Sequence, residues 1–282
     1  MSSPDDLTRH LPVIEITSGT PFFPDLAEAW HHRQLAVMLA RRNIKIRYKQ
    51  TLLGSAWVVI QPLLLTGILT LILGMLLAVP SGGLPYMLFA FAGTALWSAF
   101  QRTVNDAGIS LAASGSVILK VYFPRILVPL SAALTTAVDV LPVYAALLVA
   151  VGAYGLFPGW PIVLSPLFLL LALVIGFAIG LWVTMLDAIY RDMRLIIPSV
   201  LQLIFYVSPV AYAASIVPER WQALYRLNPL VGLLEGFRWS LIAGAPPPSA
   251  FDIAWCCALA GLLLLGGLAV FARLEQFAVD RI

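Results

Sequence analysis

Charge is scarce in this chain: Asp, Glu, Lys and Arg make up 11% of its 282 residues, against about a quarter in ordinary globular domains. Hydrophobic side chains reach 61%, which excludes a water-soluble domain and reads as an integral membrane protein. The net charge of +3 does not imply a nucleic-acid partner. Histidine is confined to His10, His31 and His32, so the His, Asp or Cys cluster of a membrane-embedded transferase is missing. Cys256 and Cys257 are adjacent inside an apolar run, a spacing that suits neither a disulfide nor a metal, and no metal site is expected. The GxxxxGK[ST] phosphate loop is absent, which rules out ATP hydrolysis by the P-loop route. No continuous apolar core occurs in the first 20 residues, so a cleaved signal peptide is not expected. Residues 1–24, punctuated by Pro4, Pro12, Pro21 and Pro24, are expected to form a cytoplasmic tail.

What is present begins at residues 41–74, where Arg41, Arg42, Lys45, Arg47 and Lys49 run without a linker into a long apolar stretch. From Leu52 to Val79 no side chain is charged. About 20 apolar residues cross a bilayer core as a helix, with the basic end held inside. Before this point the spacing predicts a helix over 25–50, with Asp25 as a candidate cap. Leu26, Trp30, Val37, Ile44 and Tyr48 form one apolar line, and Leu35, Leu39 and Ile46 a second. A helix apolar on two sides and cationic between them suits the membrane surface.

The predicted fold is all-α, with 51–282 forming a six-span transmembrane domain. The expected spans are 53–79, 84–100, 126–154, 162–186, 195–214 and 251–271, the second either ending there or continuing past Gln101 as a polar extension. The loops VPSGGLP and GLFPGWP are short and uncharged, which fits the outside face. Apart from Arg220, Arg226 and Arg238, every Lys and Arg falls on the opposite side, so the positive-inside rule puts both termini in the cytoplasm. Residues 101–125 are amphipathic but too polar to span, and predict one or two short cytoplasmic helices. In 215–249, Asn228–Pro229 breaks two apolar stretches too short to cross, which predicts a re-entrant or interfacial hairpin before the last span.

Four blocks carry a family likeness: RRNIKIRYKQTLLGSAWVVIQPLL, YFPRILVPLS at 122–131, IYRDMR at 189–194 and LNPLVGLLEGFRW at 227–239. In order and spacing they resemble the permease subunit of bacterial polysaccharide ABC exporters, which carry O-antigen, teichoic acid or capsule chains. The likeness runs from Asp25 to Ile282. It implies a homodimer in the bacterial cytoplasmic (inner) membrane, with two copies of a separate ATPase docked below. ATP and Mg would bind that ATPase, and this chain would need no cofactor. A lipid-linked polysaccharide would pass between the two permeases, among membrane lipids. The likeness also implies a surface-lying N-terminal helix and short external helices in the fifth loop.

A chain without its own motor needs a rigid element to receive force. The candidates are the basic helix (Arg41, Arg42, Lys45, Arg47, Lys49), the 101–125 segment, and the turn holding Asp187, Arg191, Asp192 and Arg194, which reads equally well as a solvated turn with weak local ion pairs. A glycan path calls for aromatic faces and neutral polar groups. On the first span Trp57, Gln61 and Thr66 qualify, and on the fifth Gln202, Phe205, Tyr206 and Ser208, followed by Tyr212. The competing reading is interfacial aromatics and interhelical hydrogen bonds. Asp139, halfway along the third span, must be protonated, paired or facing a cavity. It is either a proton relay, which would make this a proton-coupled secondary transporter, or a helix-to-helix hydrogen bond to Gln61 or Thr66. Against the relay stand the lone carboxylate and the lack of a detectable inverted repeat.

Overall fold

The computed structural model describes residues 26–49, 54–114, 123–190 and 192–279, and every regular element among them is helical. The expected tail 1–24 and Arg191 lie outside the described residues. In chain order the helices are α1 (Leu26–His31), α2 (Arg33–Tyr48), α3 (Ala56–Leu69), α4 (Tyr86–Gly108), α5 (Ser110–Ala113), α6 (Leu127–Ala153), α7 (Ser165–Ile189), α8 (Met193–Val207), α9 (Glu219–Tyr225), α10 (Pro229–Leu241) and α11 (Ala250–Val279). A π-helical turn, Thr70–Leu76, prolongs α3, and a 3₁₀ turn, Trp160–Leu164, leads into α7.

Among the described residues, four stretches are long and apolar enough to cross a membrane: Ala56–Leu76, Leu127–Ala153, Trp160–Ile189 and Ala250–Leu274. Their mean hydropathies run from 2.0 to 2.8. The other two expected crossings fall short for different reasons. Helix α4 takes the expected alternative of a polar extension past Gln101 and continues to Gly108, and its second half carries Gln101, Arg102, Asn105 and Asp106, which dilute its apolarity. Helix α8 ends at Val207 rather than near Ala214, after 15 residues. At 1.5 Å per residue it spans roughly 22 Å, less than a bilayer core. The amphipathic helix expected over 25–50 is also broken, by a turn at His32 whose ring nitrogen bonds the Glu28 carbonyl at 3.0 Å.

Helix α4 is the centre of the bundle. It is buried along its whole length and packs on α3, α6, α7 and α10. The α4–α7 contact is backbone-close because α7 presents glycines. A Cβ on Gly176 would lie 2.8 Å from the Thr103 Cβ and 2.9 Å from the Phe100 carbonyl oxygen, and one on Gly180 2.6 Å from the Ala107 Cβ. The seam is fastened by Thr184, whose hydroxyl donates to the Ala107 carbonyl at 2.7 Å. On its other side α7 packs against α11, where the Trp182 indole donates to the Leu263 carbonyl at 3.0 Å.

The break at Asn228–Pro229 forms as expected: the Asn228 side chain caps α10 by accepting from the Leu230 amide at 3.0 Å, with Pro229 as first residue. The helices on either side of the break differ sharply. Helix α9 buries no residue, whereas α10 buries Leu230, Val231, Leu233, Leu234, Phe237 and Leu241 and is wedged between α4, α7 and α11.

Overpacking the α4–α7 seam should therefore cost stability. Gly180→Val is expected to lower stability by about 1–3 kcal/mol, seen as an earlier thermal transition of the purified chain. Gly67→Ala, where an added Cβ meets no atom within 4 Å, should leave the transition in place.

Candidate functional site

Helix α2 does not dock on the bundle through the expected apolar lines. Its packing face is small: Ala36 and Ala40 are buried, while Val37 and Ile46, and Trp30 on α1, point outward. Small residues let the α2 backbone approach α6, where Thr135 donates to the Ala40 carbonyl at 3.4 Å and Asn43 reaches the Ser131 hydroxyl at 3.5 Å. Leu35 and Leu39 add partly buried contacts beside them. The basic face is left free: Arg41, Arg42, Lys45 and Lys49 are exposed.

Arg47 is the exception among the five cations. It turns into the bundle and bridges two carboxylates, bonding Asp106 of α4 at 2.7 Å and Asp139 of α6. Tyr48 donates to Asp139 at 2.7 Å, and Thr136 donates to Asp106 at 2.9 Å. Burial, followed by the bond to Asp139, pushes the Tyr48 hydroxyl up to about 12, so it stays a donor. The expected partners of Asp139 are thus corrected. Gln61 bonds Arg102 at 2.9 Å instead, and Thr66 bonds Thr94 and the Pro62 carbonyl, each at 2.7 Å. The reason is charge: a guanidinium from α2 reaches the buried carboxylate, and an ion pair there outcompetes a neutral hydrogen bond.

Beside this cluster, α3 and α4 enclose a polar cavity of about 400 Å³, lined by Gln61, Ser98, Gln101, Arg102 and Asn105, with Arg47 and Asp106 at one end. A second cavity, of about 350 Å³, lies between α2, the end of α4, and α6. Arg47 and Asp106 line both cavities, so their ion pair is a shared wall.

The residues singled out from sequence do not share one surface. Gln61 lines the larger cavity and Trp57 is half-exposed, while Thr66 is sealed among helices. On α8, Gln202 and Tyr206 are exposed, but Phe205 is buried edge-on to Trp97, with ring centroids 5.4 Å apart. Ser208 is buried and accepts from the Asn228 amide at 2.9 Å. Tyr212 donates to the Tyr206 carbonyl at 3.0 Å and accepts from Tyr225 at 3.3 Å. Asp187 is buried and gripped by both ends of the Arg194 guanidinium, at 2.8 and 3.2 Å. That pair staples α7 to α8 across their break. Asp192, at the start of α8, is exposed.

Two groups were not singled out. Ser98, Gln101, Arg102 and Asn105 recur at three and four residues, a polar line on an otherwise apolar helix that begins in the second span and runs on through the extension past Gln101. Arg238 is fully enclosed, 3.6 Å above the Phe89 ring, and donates to the Val210 carbonyl at 2.7 Å and the Phe89 carbonyl at 3.3 Å. Gly93 leaves room for it, since a Cβ there would sit 2.6 Å from the Arg238 Nη2. Sequence position alone had put Arg238 in a loop.

Removing Arg47 leaves two facing carboxylates without a cation. Arg47→Ala should destabilise the chain by about 3–5 kcal/mol, and adding Asp139→Asn should recover part of that loss. The check is a double-mutant cycle on the unfolding transition; additive losses would show that the two groups do not interact.

Comparison with known proteins meets this geometry. A family model described as ABC-2 type transporter matches residues 34–242, a range that takes in α2, the Arg47 cluster, both cavities and α10. The O-antigen export system permease protein RfbA of Klebsiella pneumoniae is 26% identical over 245 residues, 86% of this chain and 92% of that protein. The protein of the same name from Myxococcus xanthus is 26% identical over 254 residues, 89% of this chain and 96% of that one. With four helices fit to cross a membrane and a family match over most of its length, this chain is a multi-pass membrane protein of the ABC-2 type transporter family.

Proposed function

We propose that this chain is the transmembrane permease of an ATP-driven exporter that moves a lipid-linked polysaccharide across the bacterial cytoplasmic membrane. The observation that carries the reading is the near end-to-end alignment with O-antigen export permeases, on a fold with a polar cavity cut into its first two long helices. In this reading α4 and α8 complete six crossings, and both termini face the cytoplasm. The 400 Å³ cavity is open on one side, and a second copy facing α3 and α8 would enclose it as a path. Gln61, Gln202, Tyr206 and Trp57 present polar or aromatic groups outward from one protomer, as a sugar chain requires, and Tyr212 stands at the far end of α8.

Force has to come from a separate ATPase, two copies per dimer, that binds ATP and Mg. The exposed cations Arg41, Arg42, Lys45 and Lys49 form its proposed contact surface, with Arg191, Asp192 and the Asp187–Arg194 staple as a second. A push on α2 reaches the bundle directly, since Arg47 and Tyr48 tie α2 to α4 and α6. Asp139 serves here as an anchor for α2. A proton relay gains no support, because Asp139 is held by a guanidinium and a tyrosine hydroxyl.

The test is reconstitution in vesicles with the cognate ATPase and a fluorescent lipid-linked glycan. Movement is expected only with hydrolysable ATP. Reversing the charges of Arg41, Arg42 and Lys45 should abolish ATPase capture while leaving the permease folded. Movement without ATP, or driven by a proton gradient alone, would refute the reading.

A further inference from the structure

A carboxylate oxygen sealed without a partner marks the junction of α10 and α11. Asp252 sits in the first turn of α11 and is 3% exposed. Among the described residues, its Oδ1 is the one buried side-chain oxygen or nitrogen that makes no hydrogen bond. The other oxygen fares little better. Arg226, half-exposed just after α9, stands 4.0 Å from Oδ2, beyond hydrogen-bond reach. Native interiors rarely leave such a group unpaired, so its donor must come from a neighbour.

That neighbour is Glu235. Gly232 brings α10 onto Asp252, since a Cβ there would lie 2.7 Å from the Asp252 carbonyl oxygen and 2.9 Å from its Cβ. Glu235 follows three residues later, on the same face of α10, and is half-buried. Burial, and next the charge of Asp252, raise the Glu235 carboxyl above the ordinary carboxylate range, against the opposing pull of Arg238 and Arg226. The other polar groups around it are engaged elsewhere. Tyr225 donates to Tyr212 at 3.3 Å, and Arg238 to the Val210 and Phe89 carbonyls. On α4, Tyr86 donates to the Ala211 carbonyl. The ionisable group of α7 is Asp187, at its far end and paired with Arg194, and the Trp160–Leu164 turn carries none.

Two carboxylates that share a site cannot both ionise cheaply. The positive end of α11 and the nearby Arg226 favour the charge on Asp252, which leaves the proton to Glu235. We infer that Glu235 and Asp252 form a proton-binding pair, in which protonated Glu235 donates to the Asp252 Oδ1 and clamps α10 to the start of α11. When that proton leaves to the water at the exposed edge of Glu235, two like charges face each other across the junction. The link between α9 and α10 is held to the same turn of α11, where the Trp255 indole donates to the Leu227 carbonyl at 2.9 Å. The seat of both helices is therefore set by pH. A carboxyl group that binds its proton more tightly in the folded chain stabilises the fold at low pH, and that contribution is lost as pH rises through the folded-state value.

The experiment follows the full chain in phosphatidylcholine nanodiscs by infrared spectroscopy and by its thermal transition, between about pH 5 and about pH 8. Wild type is expected to show a protonated-carboxyl band that fades as the pH rises and is missing in Glu235→Gln. Asp252→Asn takes away the like charge and should weaken proton binding at Glu235 at least about tenfold, moving the loss of the band to lower pH. Glu235→Gln keeps a donor for Oδ1, so its thermal transition should hold as the pH rises while that of wild type falls. The Asp252→Asn band shift keeps the test decisive if Glu235→Gln fails to fold. A band that Glu235→Gln leaves unchanged, or that titrates identically in Asp252→Asn, would overturn the inference. So would parallel pH profiles of the thermal transition in wild type and Glu235→Gln, the result expected if a water molecule or Arg226 serves Oδ1 instead.

Discussion

A guanidinium held between two carboxylates fixes how α2 meets the membrane bundle. In a low-dielectric interior an unpaired Asp139 would be too costly to retain, and an unpaired Arg47 would not enter. Together with Asp106, Tyr48 and Thr136 they satisfy one another, and satisfying them requires α2, α4 and α6 in one relative placement. The alanine face of α2 permits that approach, and the ion pairs give it register. The consequence extends further: Arg47 and Asp106 also form the wall shared by the two neighbouring cavities.

Glycine does for α4 and α7 what alanine does for α2. Helices in a bilayer have little hydrophobic reason to associate, so close backbone contact and hydrogen bonds across the seam carry more of the packing. Gly176, Gly180 and the Thr184 bond supply both. At the opposite end Arg238 plays a comparable part with backbone carbonyls and an aromatic face instead of carboxylates. Its two carbonyl bonds tie α10 to α4 and to the turn after α8, which is why so short a helix can be packed into the bundle rather than laid on it.

Much of this was legible in the sequence where one local rule decides. Hydropathy located the four long crossings, and Asn228–Pro229 located the α10 cap. The basic run before the first span located α2. What could not be read were choices between competing partners. Asp139 had several polar neighbours at plausible depth, and only the fold brings Arg47, far away in sequence, to it. Thr66, Phe205 and Ser208 carry the residue types of a sugar path, yet each is consumed by a contact inside the protomer, with Thr94, Trp97 and Asn228 respectively. The polar line of α4 was written in the sequence at helical spacing. Its continuation past Gln101 was expected as an alternative, but which neighbouring helix its polar face would meet is a tertiary choice that spacing does not carry.

In the function proposed above, the route for cargo is the groove between α3 and α4, which Arg47 and Asp106 help to line. The most direct measurement places a photo-crosslinking residue at position 61 or 101 in cells making the glycan. Glycan adducts are predicted there during ATP-driven export, and none at Leu167 or Leu262, which face away from the bundle. Adducts absent from 61 and 101 while export proceeds would contradict the assignment of the groove.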